Sequence, residues 1–190
     1  ASGCYSTVSH VKNGIRRGET GLIAAEAFST LAKTLCGKSV PSEKLAEAWK
    51  NICFLHFHDS MDGCCVKETH DDAAYQYGAA LNTAAIVENN ALQTISWAID
   101  TGDRSKGLPV IVFNPHGFTA ETSVQVNMEA SGVTDSDGNA VPSQLVHSSC
   151  NECFRRHDTL FRASVPALGY RVYYLRDPKR GWSTENPALS

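Results

Sequence analysis

The sequence predicts an α+β multidomain chain: a three-helix antiparallel bundle followed by a small antiparallel β domain. Three observations carry this. Apolar residues recur at steps of three and four through roughly the first hundred positions, composition shifts abruptly at Thr101-Gly102-Asp103, and beyond it the apolar period falls to about two. The expected divisions are residues 1–104 (bundle), 105–178 (β domain) and 179–190 (a linker leading out of the β domain).

The first helix is predicted over residues 8–35, with Val8, Val11, Ile15, Gly18, Leu22, Ala25, Ser29 and Ala32 forming one stripe that Phe28, Leu31 and Leu35 widen. Gly37 ends it, and Pro41-Ser42-Glu43 opens a second helix whose stripe runs Leu45, Trp49, Ile52, His56 and which is expected to end near Asp59. After a turn at Met61-Asp62-Gly63, a third helix extends from about Glu68 to Asp100 along Ala74, Tyr77, Leu81, Ala84, Ala91, Ile95 and Ala98. Short connections between long amphipathic helices favour antiparallel packing.

In the second half, Val110 to Phe113 reads as a buried strand ended by Asn114-Pro115-His116-Gly117, and Val124, Val126 and Met128 alternate in the next. Asp135-Ser136-Asp137-Gly138 is a turn. Phe161, Ala163 and Val165 alternate again, and Pro166 to Gly169 turns the chain into the strand Tyr170 to Leu175.

Bulk composition excludes several classes of function. A net charge of −3 gives no basic stripe for nucleic acid. Lys12, Arg16 and Arg17 are the nearest approach to one and read as a solvated helix face. No run nears the ~20 apolar residues of a membrane span, and Ala1 to His10 lack the charged-then-apolar pattern of a secretory signal. Seven cysteines, an odd number with Cys36 and Cys53 inside helical patterns, together with the lack of any Asn-X-Ser/Thr acceptor, suit a cytoplasmic protein.

Chemistry concentrates at His58-Asp59. A neutral imidazole can ligate a transition metal, the next carboxylate can bind metal or sugar hydroxyls, and Gly63 can supply a left-handed helix closure. On one continuous helix His56 and His58 lie roughly 200° apart, so only one can face a shared site. His56 continues the buried stripe and reads as a core or helix-contact residue. His58 and Asp59 are expected in the last turn, where the helix dipole favours a cation. The plainer alternative is a helix-terminal histidine satisfied by a carbonyl, with Asp59 solvated. Zinc takes four ligands and this segment offers one or two, so other residues must complete any metal site.

A second cluster, His147, Cys150, Cys153 and His157, has the spacing H-x2-C-x2-C-x3-H. Four ligands within so short a stretch strain the backbone, so a surface loop is favoured over a structural zinc or a Cys150–Cys153 disulfide. Cys64-Cys65 is read as packing.

The stretch W-K-N-I-C-F-L-H-F-H-D-S-M-D-G at residues 49–63 resembles the W-x-x-L-L-x-x-Q-F-H-D-x-x-P-G segment of the α-mannosidases of glycoside hydrolase family 38. Upstream, Gly3-Cys4-Tyr5-Ser6-Thr7, Lys12, Arg16, Arg17, Glu19 and Ala25-Glu26 are similar to that family's G-x-Y-T-S, K, N-R-R-x-E and A-E pattern. Downstream, Val110 to Pro115 resembles V-V-V-F-N-P, and Phe161 to Tyr170 resembles F-x-A-x-V-P-P-L-G-Y. Asp62 in place of proline, His56 in place of glutamine and the reversed Ser6-Thr7 order depart from the pattern without removing a ligand. The F-H-D form is more like bacterial and cytosolic members than the H-H-D form of lysosomal and Golgi ones.

The resemblance implies a helical middle domain, a small β domain and the approach to a large β-sandwich. It implies retaining hydrolysis of α-mannoside oligosaccharides, with His58 a ligand of one catalytic zinc and with Asp59 and Tyr5 near the sugar. It places no catalytic nucleophile or acid/base in this fragment; these are expected before Ala1, in an N-terminal catalytic domain of the same protein. The partners implied are those N- and C-terminal domains and the mannoside, without nucleic acid or membrane, and a homodimer is a candidate assembly. The competing reading is a stand-alone helical binding module without catalysis.

Overall fold

The computed structural model describes residues 3–4, 6–102, 104–148 and 157–179. It divides into two compact units, residues 1–99 and 100–190. The first contains helices α1 (Ser9–Cys36), α2 (Ser42–Leu55), α3 (His58–Asp62) and α4 (Lys67–Ala98). Four helices therefore stand where the periodicity predicts three, because the second is interrupted at His56-Phe57.

The direction of packing follows from which residues meet. Gly18 of α1 faces Ile52 of α2, and Trp49 reaches back to Glu26, so α1 and α2 run antiparallel. Gly14 faces Tyr77 and Gly21 faces Ala84, so α4 runs alongside α1 in the same direction. A Cβ on Gly14 would lie 2.6 Å from the Tyr77 ring, and one on Gly18 would collide with the Ile52 Cδ1 methyl. Small residues here let the helices approach closely enough to bury Val11, Ile15, Leu22, Leu45, Ile52, Leu55, Ala80 and Ala84 in one core. Each large aliphatic side chain so buried contributes ~1.5–3 kcal/mol.

The helix ends follow local chemistry. Lys33 lies in the last turn of α1, and Gly37 at φ 72° donates its N–H to the Lys33 carbonyl at 3.0 Å. Glu43 in the first turn of α2 complements that end of the dipole. The cysteines depart from expectation: Cys53 is exposed and Cys36 half-buried, so neither serves as a core hydrophobe.

The second unit holds β1 (Leu108–Asn114), β2 (Ala120–Val126), β3 (Gly132–Thr134), β4 (Ala140–Val141), β5 (Ser143–His147), β6 (His157–Val165) and β7 (Gly169–Arg176). They form two antiparallel sheets, ordered β1-β7-β3-β4 and β2-β6-β5. Phe161, Ala163, Val165, Val133, Tyr173 and Leu175 fill the core. Alternation along β6 points Phe161, Ala163 and Val165 inward, while Arg162 between them is exposed.

Asn114 is the unit's main polar anchor. It is 2% exposed, and its amide donates to the carbonyls of Phe118 (2.7 Å), Val165 (3.1 Å) and Pro166 (3.0 Å), while its Oδ1 accepts the His116 N–H at 2.9 Å. One side chain thereby joins the β1–β2 and β6–β7 turns. The predicted turn at 135–138 forms between β3 and β4: Asp135 Oδ1 accepts the backbone N–H groups of Asp137 (3.0 Å) and Asn139 (2.9 Å). Beyond β7 the described chain ends at Lys179, which pairs with Glu129 in an isolated antiparallel bridge.

Candidate functional site

The site centres on the break after α2. The last turn tightens, with the His56 and Phe57 N–H groups bonding to the Cys53 and Phe54 carbonyls at 3.2 and 3.3 Å. Phe57 then adopts an extended conformation (φ −55°, ψ 132°), and its carbonyl accepts the N–H groups of Ser60 (3.0 Å) and Met61 (3.1 Å) to start α3. Gly63, at φ 82°, closes that short helix. A side chain at Gly63 would also meet Thr7 at 2.6 Å, so the turn of chain before α1 lies directly against it. Tyr5, the expected sugar contact in that turn, lies outside the described residues.

His58 and Asp59 accordingly begin a helix instead of ending one, and the dipole argument for a cation in a last turn does not apply. The imidazole is 78% exposed, its Nε2 lies 3.2 Å from Asp59 Oδ1, and its ring centre is 4.5 Å from that of Phe57. Phe57 itself is exposed. The pair thus presents one ring nitrogen and one carboxylate to the outside of the bundle. Among the described residues no three His, Cys, Asp or Glu side chains converge as a metal site. His58 and Asp59 can therefore serve as a partial donor set that other residues complete.

His56 does not share a helix with His58. It follows the last residue of α2, and its Nε2 lies 2.9 Å from Glu19 Oε1 on α1, so of the two roles expected for it His56 takes the helix contact and not the core position, its ring being exposed. Glu19 Oε2 in turn accepts Arg16 at 2.7 Å, and Glu26 Oε1 accepts the Trp49 indole N–H at 2.9 Å. Arg16 is 82% exposed and pairs with Glu19 along the surface of α1, Arg17 is exposed, and Lys12 donates to the Thr7 carbonyl at 2.5 Å, so this is the solvated helix face that the sequence predicts. Glu19 and Glu26 hold α2 and the residue that follows it against α1, contacts with no signal in spacing alone because Glu19–His56 and Glu26–Trp49 join residues far apart in the sequence.

Beside α3, Asp62 accepts the Cys64 N–H at 3.0 Å. That backbone donor, followed by the Cys64 thiol, holds the Asp62 carboxyl below its usual value, and Asp62 in return raises the Cys64 thiol. Cys64 is exposed and Cys65 half-buried, so Cys64 does not pack as expected. A separate cavity of ≈ 170 Å³ lies at the opposite end of the bundle, lined by Lys38, Pro41, Lys44, Ile86 and Asn90 among others, and includes none of these groups.

In the β unit, His147 and His157 are directly opposed on β5 and β6, while Cys150 and Cys153 lie outside the described residues.

Residues 2–95 match the family described as the alpha mannosidase middle domain. The chain belongs to the α-mannosidases of glycoside hydrolase family 38. Among curated α-mannosidases, it is 39% identical to alpha-mannosidase 2 of Arabidopsis thaliana, over 70% of this chain and 14% of that protein. It is 27% identical to the lysosomal alpha-mannosidase of Felis catus, over 64% of this chain and 13% of that protein. The fold matches a glycosyl hydrolase family 38 protein of Enterococcus faecalis with a TM-score of 0.69 at 20% identity, over 96% of this chain and 26% of that one. The chain thus spans about a seventh of the length of these two α-mannosidase relatives. The α-mannosidase middle domain accounts for the helical unit, with His58 and Asp59 both inside the matched residues.

Proposed function

We propose that this chain is the part of a zinc-dependent, retaining α-mannosidase that presents His58 to the catalytic metal and Asp59 to the mannose. The observation that carries the proposal is the outward-facing His58-Asp59 pair at the start of α3, within residues that match an α-mannosidase middle domain. Tyr5 is assigned to the sugar-binding face on its sequence motif. The nucleophile and the acid/base are assigned to another part of the protein.

A buried histidine tied to carbonyls would not fit a metal. An exposed ring whose Nε2 lies 3.2 Å from the adjacent Asp59 carboxylate does. When bound, zinc would supply a Lewis acid that holds vicinal hydroxyls and offsets charge in the oxocarbenium-like transition state. This chain's own contribution is positioning. Glu19 holds His56, the Phe57 break turns the next residue out of the bundle, and Gly63 closes α3 against Thr7. The Asp59 carboxylate oxygens can accept hydrogen bonds from sugar hydroxyls. The free thiols at Cys4, Cys36, Cys53, Cys64 and Cys65 support a cytoplasmic setting.

The test is His58→Ala in the full-length protein, scored by zinc content and by hydrolysis of an aryl α-mannoside. Loss of the metal and at least a ~100-fold fall in kcat/KM, with helical content unchanged, is the expected outcome. Wild-type zinc content and turnover would overturn the assignment.

A further inference from the structure

A second group of metal-ligand side chains lies in the β unit, which the proposed chemistry does not use. β5 and β6 form one antiparallel hairpin pair whose register sets His147 opposite His157. Directly opposed residues project to the same face of a sheet. Their ring centres are 5.4 Å apart, with the planes inclined by 41°. His147 is exposed and the His157 side chain is 40% exposed, so an ion can reach both from solvent.

The spacing suits a shared ion. With metal–nitrogen bonds of about 2.0–2.1 Å, each ring centre stands roughly 3.2 Å from a bound metal, so two imidazoles on one ion at near-tetrahedral angles have centres about 5.2–5.4 Å apart. A carboxylate lies nearby: Glu129 Oε2 is 3.8 Å from His157 Nδ1, which adds negative charge beside the pair and favours a bound cation. Glu129 is itself fixed by Lys179 at 2.8 Å.

We propose that His147 and His157 form a cross-strand chelate for a zinc-class divalent ion, separate from the metal assigned to His58. The described residues supply two nitrogen ligands, and water can occupy the remaining positions. Bound across the hairpin, the ion ties the two strands at the mouth of their connecting loop and stabilises the β unit.

Zinc titration of this chain tests the proposal, followed by equilibrium dialysis and thermal unfolding. The expected result is one zinc retained by His58→Gln protein, with an upward shift in Tm. That binding should fall at least ~10-fold in both His147→Gln and His157→Gln, each made in the His58→Gln background. Zinc binding that survives both added substitutions, as it would if Cys150 and Cys153 alone held the ion, overturns the proposal. Histidine ring NMR guards against variants that fail to fold. Zinc must shift two ring spin systems in His58→Gln protein, assigned to His147 and His157, and rings that do not respond overturn it equally.

Discussion

Glu19 Oε1 lies 2.9 Å from His56 Nε2, and the other oxygen of the same carboxylate accepts Arg16 at 2.7 Å. This bridge ties α1 to the residue immediately before the Phe57 break, two positions from His58. It is partly exposed, with Glu19 at 21% and His56 at 40%, so its strength must be discounted for solvent.

Glu19→Ala should lower stability by about 1 kcal/mol, and the Glu19→Ala/His56→Ala pair should show a coupling of roughly 0.5 kcal/mol. Denaturant unfolding followed by helical circular dichroism measures both. Strictly additive losses would mean that the two side chains do not support one another.

Gly18→Ala should destabilise the bundle by ~1–3 kcal/mol, since the new methyl meets the fully buried Ile52 Cδ1. Ile52→Val removes that atom. Gly18→Ala/Ile52→Val should therefore be more stable than the sum of the single changes predicts. A Gly18→Ala protein as stable as the parent would show that the helices separate at no cost.

Asn114→Ala should cost ~2–4 kcal/mol, because it strands carbonyls at Phe118, Val165 and Pro166 in a buried site. Asn114→Asp is nearly the same shape but sets acceptor oxygens against those carbonyls. It should be no better tolerated than alanine. An Asp variant with parental stability would contradict the donor role.

Asp135 ionises below its ordinary value of 3.8 because of the Asn139 side-chain amide first, and then the Asn139 backbone N–H. A lowered folded-state value means that the carboxylate's contribution is fully present above the unfolded value and is lost as pH falls through the folded one. The β3–β4 turn should accordingly loosen only in acid below about pH 4. Asp135→Asn should remove that dependence. Carboxyl NMR with a midpoint at or above 3.8 would contradict the assignment.

The long helices were legible because apolar residues keep a helical step: Val11 to Ala32 in α1 are buried as the stripe predicts, and in α4 Ala84, Ala91 and Ile95 are. The first half of the α4 stripe is offset by one residue, with Ala73 and Ala80 buried in place of Ala74 and Leu81, and Ala98 is exposed. The break at Phe57 was not, because Trp49 to Asp59 contains neither glycine nor proline and every residue in it tolerates a helix. Tertiary contacts between α1 and α2 decide it. In the β unit, Phe161, Ala163 and Val165 announced their inward face by alternation. That β1 pairs with β7, and β2 with β6, depends on long-range register that no local pattern encodes. Asn114 read as a strand-ending turn residue, and its burial became apparent only when the two distant turns came together. His58 and Asp59 stood out by residue type, whereas their place at the start of a helix depended on the same unannounced break.

That break also separates two kinds of sequence change. In an unbroken α-helix, gaining or losing one residue swings everything downstream by roughly 100°. The extended backbone at Phe57 can absorb such a rotation before it reaches the imidazole. Insertions and deletions along α2 can then accumulate across descendants of one ancestral gene while the aim of His58 is inherited intact.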